Sequence, residues 1–230
     1  MKLLSINVEN DKHLEPVREI VMRERADVVV ALEVGESDLE NLIPEYKYRV
    51  FVPNFCLTDG RLFGVTLASR HPIEGEERFY CDGGDSSNIP LLGLGTHRPA
   101  VAGAWVAGYQ IYATHFTWTP QMSETEKQHD HLDRLLTRLG GRELVLCGDF
   151  NIPRGNGAYQ KLATKYKDNV PAEIVTTIDY ELHRAKREGR SKFEVVVDYI
   201  WSTPGYEVSD VRIVSGISDH CALVAELKIK

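Results

Sequence analysis

The chain is short of three things. It has only four cysteines in 230 residues, and Cys56, Cys81, Cys147 and Cys221 are widely scattered, without metal-ligand spacing. A zinc site of the thiolate kind and a disulfide framework are thereby excluded, and the thiols read as reduced, structural cysteines of a cytoplasmic protein. There is no surplus of positive charge: 27 Lys and Arg stand against 34 Asp and Glu, for a formal charge of -7. That excludes a global electrostatic footprint for nucleic acid, so any phosphate binding has to be local or mediated by a metal ion. Nor is there an apolar run long enough for a signal peptide or membrane span, and the chain reads as soluble and intracellular. Internal repeats, low-complexity tracts, evident linkers and exposed heptads are missing too, which favours one domain over residues 1–230 and a monomer. At 43% hydrophobic and 27% charged, the composition supplies a substantial core.

What is present is strand-rich. Lys2 to Val8 reads as a first strand, and Leu14 to Arg25 carries Leu14, Val17, Ile20 and Val21 at helical spacing. Asp27 to Leu32 is an apolar run too short for a helix and reads as a buried strand, with Glu33 emerging where it ends. Further strands are expected near Tyr48–Val52, Phe63–Ser69, Ala100–Ala107, Gln110–Thr114, Leu144–Cys147, Val195–Trp201, Val208–Val214 and Ala222–Leu227. Helices are expected at Ser37–Leu42, Ser123–Leu139 and Gly157–Tyr166, the second opened by a Ser123–Glu126 capping box. Many strands with few helices between them favour two packed sheets flanked by helices over a doubly wound parallel sheet.

The chemistry gathers at strand ends. Gly148-Asp149-Phe150-Asn151 follows the run Leu144–Cys147, so a carboxylate and an amide two residues apart project from a rigid terminus. Ser218-Asp219-His220 stands before the run Cys221–Ala225 and offers a carboxylate and an imidazole at the entrance to another strand. Asn7, Glu33 and Asp219 share that position at or beside a strand end. Oxygen ligands of this kind suit Mg²⁺ or Mn²⁺ and point to a phosphate-directed metal site. His115, His220 and, more weakly, His71 supply imidazoles. Asp198, a charge inside an apolar strand, is costly unless paired, and is the expected partner of His220. Taken alone, each piece has a duller counterpart: Asp149-x-Asn151 as an Asx turn or helix cap, Glu33 as a solvated loop residue, Asp198 as a structural acid, His115 as a satisfied polar tip and His71 as part of a turn.

Taken together, the pieces resemble the endonuclease/exonuclease/phosphatase superfamily, the deoxyribonuclease-I-like fold. They occur in that family's order: Ser5-Ile6-Asn7-Val8, Leu32-Glu33, Gly64 through Ile73, Thr114-His115-Phe116, Gly148-Asp149-Phe150-Asn151, Asp198-Tyr199-Ile200 and Ser218-Asp219-His220. The resemblance implies a four-layer sandwich of two central mixed sheets with helices outside. It implies divalent-metal-dependent cleavage of phosphate esters, on substrates that range from DNA and RNA to lipid headgroups. It further implies that Glu33 is the principal metal ligand, assisted by Asn7 and Asp219 directly or through water. Asp149 would orient and deprotonate the attacking water, Asn151 would donate to the phosphate, and His220, kept cationic by Asp198, would stabilise the pentacovalent centre. His115 would bind the phosphate or serve the leaving group. One departure stands out: many members carry Gln before the metal-binding Glu, and this chain has Leu32, without that residue's hydrogen bond.

Substrate choice is thinly marked. His183 to Lys192 concentrates basic charge and reads either as a grip on a nucleic-acid backbone or phosphorylated headgroup, or as a solvated helix and turn. The acidic loop Cys81–Pro90 is expected as one rim of the cleft. Trp118 offers a stacking surface, while Tyr112 and Phe116 read as core. The leading expectation is a nuclease. The alternatives are a hydrolase of a small phosphoester or lipid headgroup, and a catalytically quiet module that binds a phosphorylated partner.

Overall fold

The computed structural model describes residues 1–93 and 96–230. Among the described residues, twelve strands form two mixed six-stranded sheets. The first contains β1 (Lys2–Asn7), β2 (Val28–Gly35), β3 (Tyr48–Cys56), β4 (Leu62–Ser69), β11 (Tyr206–Val214) and β12 (Ala222–Ile229), in the order β11-β12-β1-β2-β4-β3. The second contains β5 (Ile73–Tyr80), β6 (Ala100–Val106), β7 (Tyr109–His115), β8 (Val145–Asp149), β9 (Lys167–Asp168) and β10 (Asp198–Ser202), in the order β5-β6-β7-β8-β10-β9. Each sheet has one parallel pair near its centre, β1 with β2 and β7 with β8, and is otherwise antiparallel. The α-helices that flank them are α1 (Leu14–Glu24), α2 (Leu39–Leu42), α3 (Glu126–Leu139), α4 (Gly157–Ala163) and α5 (Arg184–Arg187).

The continuous apolar runs are explained by burial on both faces. On β2, Val28, Val30 and Leu32 join the core between the sheets, with Leu3, Val65, Ala102 and Tyr112. Val29 and Ala31 point the other way, against Val17, Ile20 and Val21 of α1 and Leu39 and Leu42 of α2. Helices α3 and α4 bury Leu132, Leu135, Leu139 and Leu162 in the cluster that holds the second sheet. Each such side chain, taken fully out of water, contributes about 1.5–3 kcal/mol before entropy is counted.

Four expectations need correction. β5 has no counterpart in the sequence reading, because its pattern Ile73-Glu74-Gly75-Glu76-Glu77-Arg78-Phe79-Tyr80 is that of a largely exposed edge strand with no alternating apolar face. β9, two residues long, was likewise not legible. The strand expected from Val195 starts only at Asp198. The carbonyls of Val195, Val196 and Val197 accept instead from Thr177, Arg154 and Phe150, outside the ladder. Helix α3 is capped by Thr125, whose hydroxyl accepts from the Gln128 amide at 3.2 Å, while Ser123 donates to the Pro120 carbonyl at 2.7 Å.

Candidate active site

Three adjacent strands of the second sheet bring their polar ends side by side: His115 on β7 lies opposite Asp149 on β8, which lies opposite Asp198 on β10. The first sheet answers with Asn7 at the end of β1, Glu33 on β2 and Asp219-His220 just before β12. A cleft of about 400 Å³ opens between these ends, lined by Glu33, His115, Asp149, Asn151, Asp219 and His220. Asn7 and Asp198 are buried behind that surface.

Local backbone irregularities aim these side chains. The β2–β4 register shifts between Leu32 and Val34, and Glu33, at φ 53°, is the extra residue. Val34 consequently packs with Val29 and Ala31, where strict alternation would set it among Val28, Val30 and Leu32. A bulge of this kind re-aims one side chain at a strand end, here a carboxylate into the cleft. Gly148 sits at φ 129°, and any Cβ there would collide with the Thr114 carbonyl. Only glycine lets β8 lie this close to β7 at the site. Asn151 also has a left-handed backbone, φ 53°, which asparagine tolerates, and its N–H donates to Asp149 Oδ1 at 2.8 Å. The Asx turn uses only part of the Asp149 carboxylate: one oxygen builds the turn and the other is free of it.

That second oxygen, Asp149 Oδ2, is the hub. It accepts from Asn7 Nδ2 at 3.3 Å and lies 3.7 Å from His115 Nε2 and 3.8 Å from His220 Nε2. Asn7 Nδ2 also donates to Glu33 Oε1 at 3.2 Å, and Asn7 Oδ1 accepts from the Glu9 amide at 3.1 Å. In this arrangement the Asn7 amide offers hydrogens to the carboxylates and has its oxygen engaged elsewhere. His220 Nδ1 bonds Asp198 Oδ2 at 2.9 Å, as the sequence suggested. Asp219 accepts from the Ser218 hydroxyl at 3.3 Å. Asn151 Nδ2 donates to the Phe116 carbonyl at 3.2 Å, leaving one amide hydrogen for a ligand.

Burial sets the electrostatics. Desolvation, with repulsion from Asp219, raises Glu33 from 4.5 to about 7. Desolvation and the Asp198 charge raise Asp149, and desolvation and Glu9 raise Asp219. For His220, burial opposes the charge, but Asp198, Asp149 and Asp219 outweigh it and hold the ring cationic, well above the ordinary imidazole range. His115 goes the other way, held neutral by burial and by the neighbouring His97 and His220 rings. Two imidazoles that flank the same Asp149 oxygen are thus held in different charge states, one neutral and one cationic.

Some expectations fall elsewhere. His71 lies outside the cleft, donating its N–H to Ser69 Oγ at 2.9 Å and placing its ring 3.3 Å from Asp27. The Cys81–Pro90 loop is not the rim: Arg98 ties it down through Asp82, at 2.7 Å, and Asn88, and the cleft is bordered by Leu92 and Gly93 instead. Trp118 does line the cleft, and Tyr112 and Phe116 are core. From the basic segment, His183 and Arg184 reach the cleft. Its cations are matched by acids: Arg187 with Glu9 at 2.7 Å, Arg184 with Glu188 at 3.3 Å, Arg190 with Glu188 at 3.0 Å, and Lys186 with Glu181. Glu9 and His97 also line the cleft and escaped the sequence reading, because neither stands in an apolar run that would flag it. Behind them, Asn54 bonds His115 Nδ1 at 3.1 Å. An amide within the otherwise apolar strand Val50–Phe55 was a signal of the same kind as Asp198.

These features define a class: a four-layer sandwich of two mixed sheets with a carboxylate–imidazole cleft across its strand ends. The chain belongs to the endonuclease/exonuclease/phosphatase family, whose model matches residues 4–220. Members of that family are phosphoester hydrolases that use divalent metals. No curated protein sequence matches the chain. Among solved structures, an endonuclease/exonuclease/phosphatase from Bacteroides vulgatus is similar over 100% of this chain and 98% of its own, at 19% identity and TM-score 0.75. An AP endonuclease from Archaeoglobus fulgidus is similar over 100% of both chains, at 22% identity and TM-score 0.69. A 3′ phosphatase from Neisseria, bound to a product DNA hairpin, is similar over 99% of both chains at 17% identity and TM-score 0.72.

Proposed function

We propose that the protein is a Mg²⁺- or Mn²⁺-dependent phosphoesterase that activates water with Asp149 and works on nucleic acid. The observation that carries this reading is the meeting of three carboxylates, the buried Asp149 and Asp219 and the partly buried Glu33, whose charged forms are disfavoured; among the described residues Glu33 and Asp149 have only histidines as ion partners and Asp219 has none. Such a donor set fits a hard divalent cation. Glu33 and Asp219 would hold it, with Asn7 turning its amide to contribute oxygen or staying as the donor that orients Glu33. The donor atoms of Asp149, Asp198 and His220 also lie within 4.8 Å of one another; the Asp198–His220 bond supports reading those three as a proton-handling unit instead. When bound, the ion supplies Lewis-acid polarisation of a phosphate oxygen and offsets charge in the transition state.

The chain's own residues do the rest. Asp149 Oδ2 takes the hydrogen of the attacking water; its raised pKa makes it a competent base near neutrality while Oδ1 stays fixed by Asn151. His220 directs Nε2–H at the charge developing on phosphorus-bound oxygen, with Asp198 keeping the ring oriented and cationic. His115 and the free amide hydrogen of Asn151 add neutral donors.

A second reading on substrate has its own observation. The basic segment is ion-paired within the protein, and the net charge is -7, so a long phosphate backbone meets few unmatched cations; a compact phosphoester needs fewer. A catalytically quiet module would not need this full set of groups. The test is hydrolysis of a panel of single- and double-stranded DNA, abasic DNA, RNA and small phosphoesters with Mg²⁺, Mn²⁺ or EDTA, beside Glu33→Ala. Metal-dependent turnover of one class, lost in the variant, is expected. Turnover that survives both EDTA and the substitution would sink the assignment.

A further inference from the structure

We infer that Asn54 is a positioning residue that fixes the tautomer of His115, so that the ring presents Nε2–H between Glu33 and Asp149 as a donor to a non-bridging phosphate oxygen. The inference deepens the proposed function and rests on it for the identity of the acceptor.

Asn54 is 0% exposed and belongs to the other sheet from His115, so its bond joins the two sheets at the site. The β3–β4 register shifts between Pro53 and Phe55, and Asn54 is the extra residue. It is a second bulge on the first sheet that turns a polar side chain toward the cleft, beside the one at Glu33. Its Nδ2 stands 3.1 Å from His115 Nδ1, while its Oδ1 is buried with no donor among the described residues. A buried unpaired oxygen is costly, and an apolar side chain would avoid it, so packing alone gives no reason for an amide here.

The amide has two orientations, and they differ in what they ask of the ring. With Nδ2 toward the ring, Nδ1 is a bare acceptor and the hydrogen of the neutral imidazole sits on Nε2, 3.7 Å from both Glu33 Oε1 and Asp149 Oδ2. Turned over, Asn54 would accept from Nδ1–H, bury an unpaired NH₂ group, and leave the Nε2 lone pair facing two carboxylates. The first arrangement pairs Nδ1 with a donor and aims Nε2–H, rather than a lone pair, at the carboxylates. His97 then holds its plane: the two rings stack at 4.1 Å with 15° between them, and His97 Nε2 donates to the Phe116 carbonyl at 2.8 Å. That same carbonyl accepts from Asn151, so the ring stack and the Asx turn share one anchor.

The experiment reads ring nitrogens directly. Protein with ¹⁵N-labelled histidine gives the His115 signals, identified by their loss in His115→Gln, and turnover of bis(p-nitrophenyl) phosphate with Mn²⁺ gives rates. Wild type is expected to show bare Nδ1 and protonated Nε2. Asn54→Leu, which offers no donor, is expected to mix the tautomers and lower kcat about 10–100-fold, the usual scale for a partner that orients a functional imidazole. Asn54→Asp, which as a carboxylate offers only acceptors, is expected to place a hydrogen on Nδ1. Protonated Nδ1 in the wild type, or an unchanged tautomer in the Asp variant, would overturn the inference. The spectra need no turnover, so they decide the matter even where the proposed activity fails, and the Asp variant serves if the Leu variant does not fold.

Discussion

Glu33 makes the site measurable without knowing the substrate. Its pKa is raised from 4.5 to about 7, chiefly by burial, and its side chain is 21% exposed. A folded-state value above the unfolded one means that, between those two pH values, the folded protein holds a proton the unfolded chain has released. The penalty is therefore absent below pH about 4.5, grows through the interval, and is complete above about 7, where it amounts to roughly 3 kcal/mol. Glu33→Gln keeps an oxygen for the Asn7 amide and cannot ionise. In EDTA at pH 8 it is expected to stabilise the protein by about 2–3 kcal/mol, a rise in Tm of roughly 5–10 °C for a chain of this length. Near pH 4.5 the two proteins are expected to melt within about 1–2 °C of each other. Added Mn²⁺ or Mg²⁺ at pH 8 is expected to raise the wild-type Tm and leave the variant's nearly unmoved, because a bound cation stabilises the ionised carboxylate only where there is one. Thermal melts across this pH range, with and without metal, measure all of it. A variant less stable than wild type at pH 8, or a difference independent of pH, would refute the reasoning.

Asp198→Asn removes the charge 2.9 Å from His220 while keeping a hydrogen-bond partner, and is expected to cost about 10²–10³-fold in kcat and to move the alkaline limb of the pH–rate profile to lower pH, since the raised His220 pKa loses its nearest support. An unchanged profile would remove the pair from the mechanism. Gly148→Ala combines a left-handed backbone with a collision against the Thr114 carbonyl, and is expected to lose more than about 3 kcal/mol of stability by urea titration. Wild-type stability in that variant would mean β7 and β8 are less closely apposed than described. Finally, if the nucleic-acid reading holds, log Kd for DNA should rise steeply with log salt. A flat response together with turnover of small phosphoesters selects the compact substrate.

Much of this was visible in the chain order of residues, for a physical reason that differs from element to element. Asp149, Asp198 and His220 could be singled out because a polar group beside or inside an apolar run is expensive and needs a partner. The partner of His220 was named on that ground, and the 2.9 Å bond bears it out. The same reasoning was available at Asn54 and was missed. β5 was not legible, since an exposed edge strand of glutamates carries no apolar alternation. The capping box read at Ser123 fell two residues early, because Ser123 is taken up by the preceding turn and Thr125 caps the helix.

The sequence by itself determined the two-sheet core, the strand-end positions of the polar groups and, through their ordered motifs, the family. Those depend on local period and composition, which a linear chain carries. What the tertiary structure decided is how those ends meet. The bulges at Glu33 and Asn54, the neutral state of His115, and the pairing of Arg187 with Glu9 all arise from groups far apart in sequence. Desolvation and charge–charge coupling act through space, so no reading along the chain assigns them before the sheets are packed.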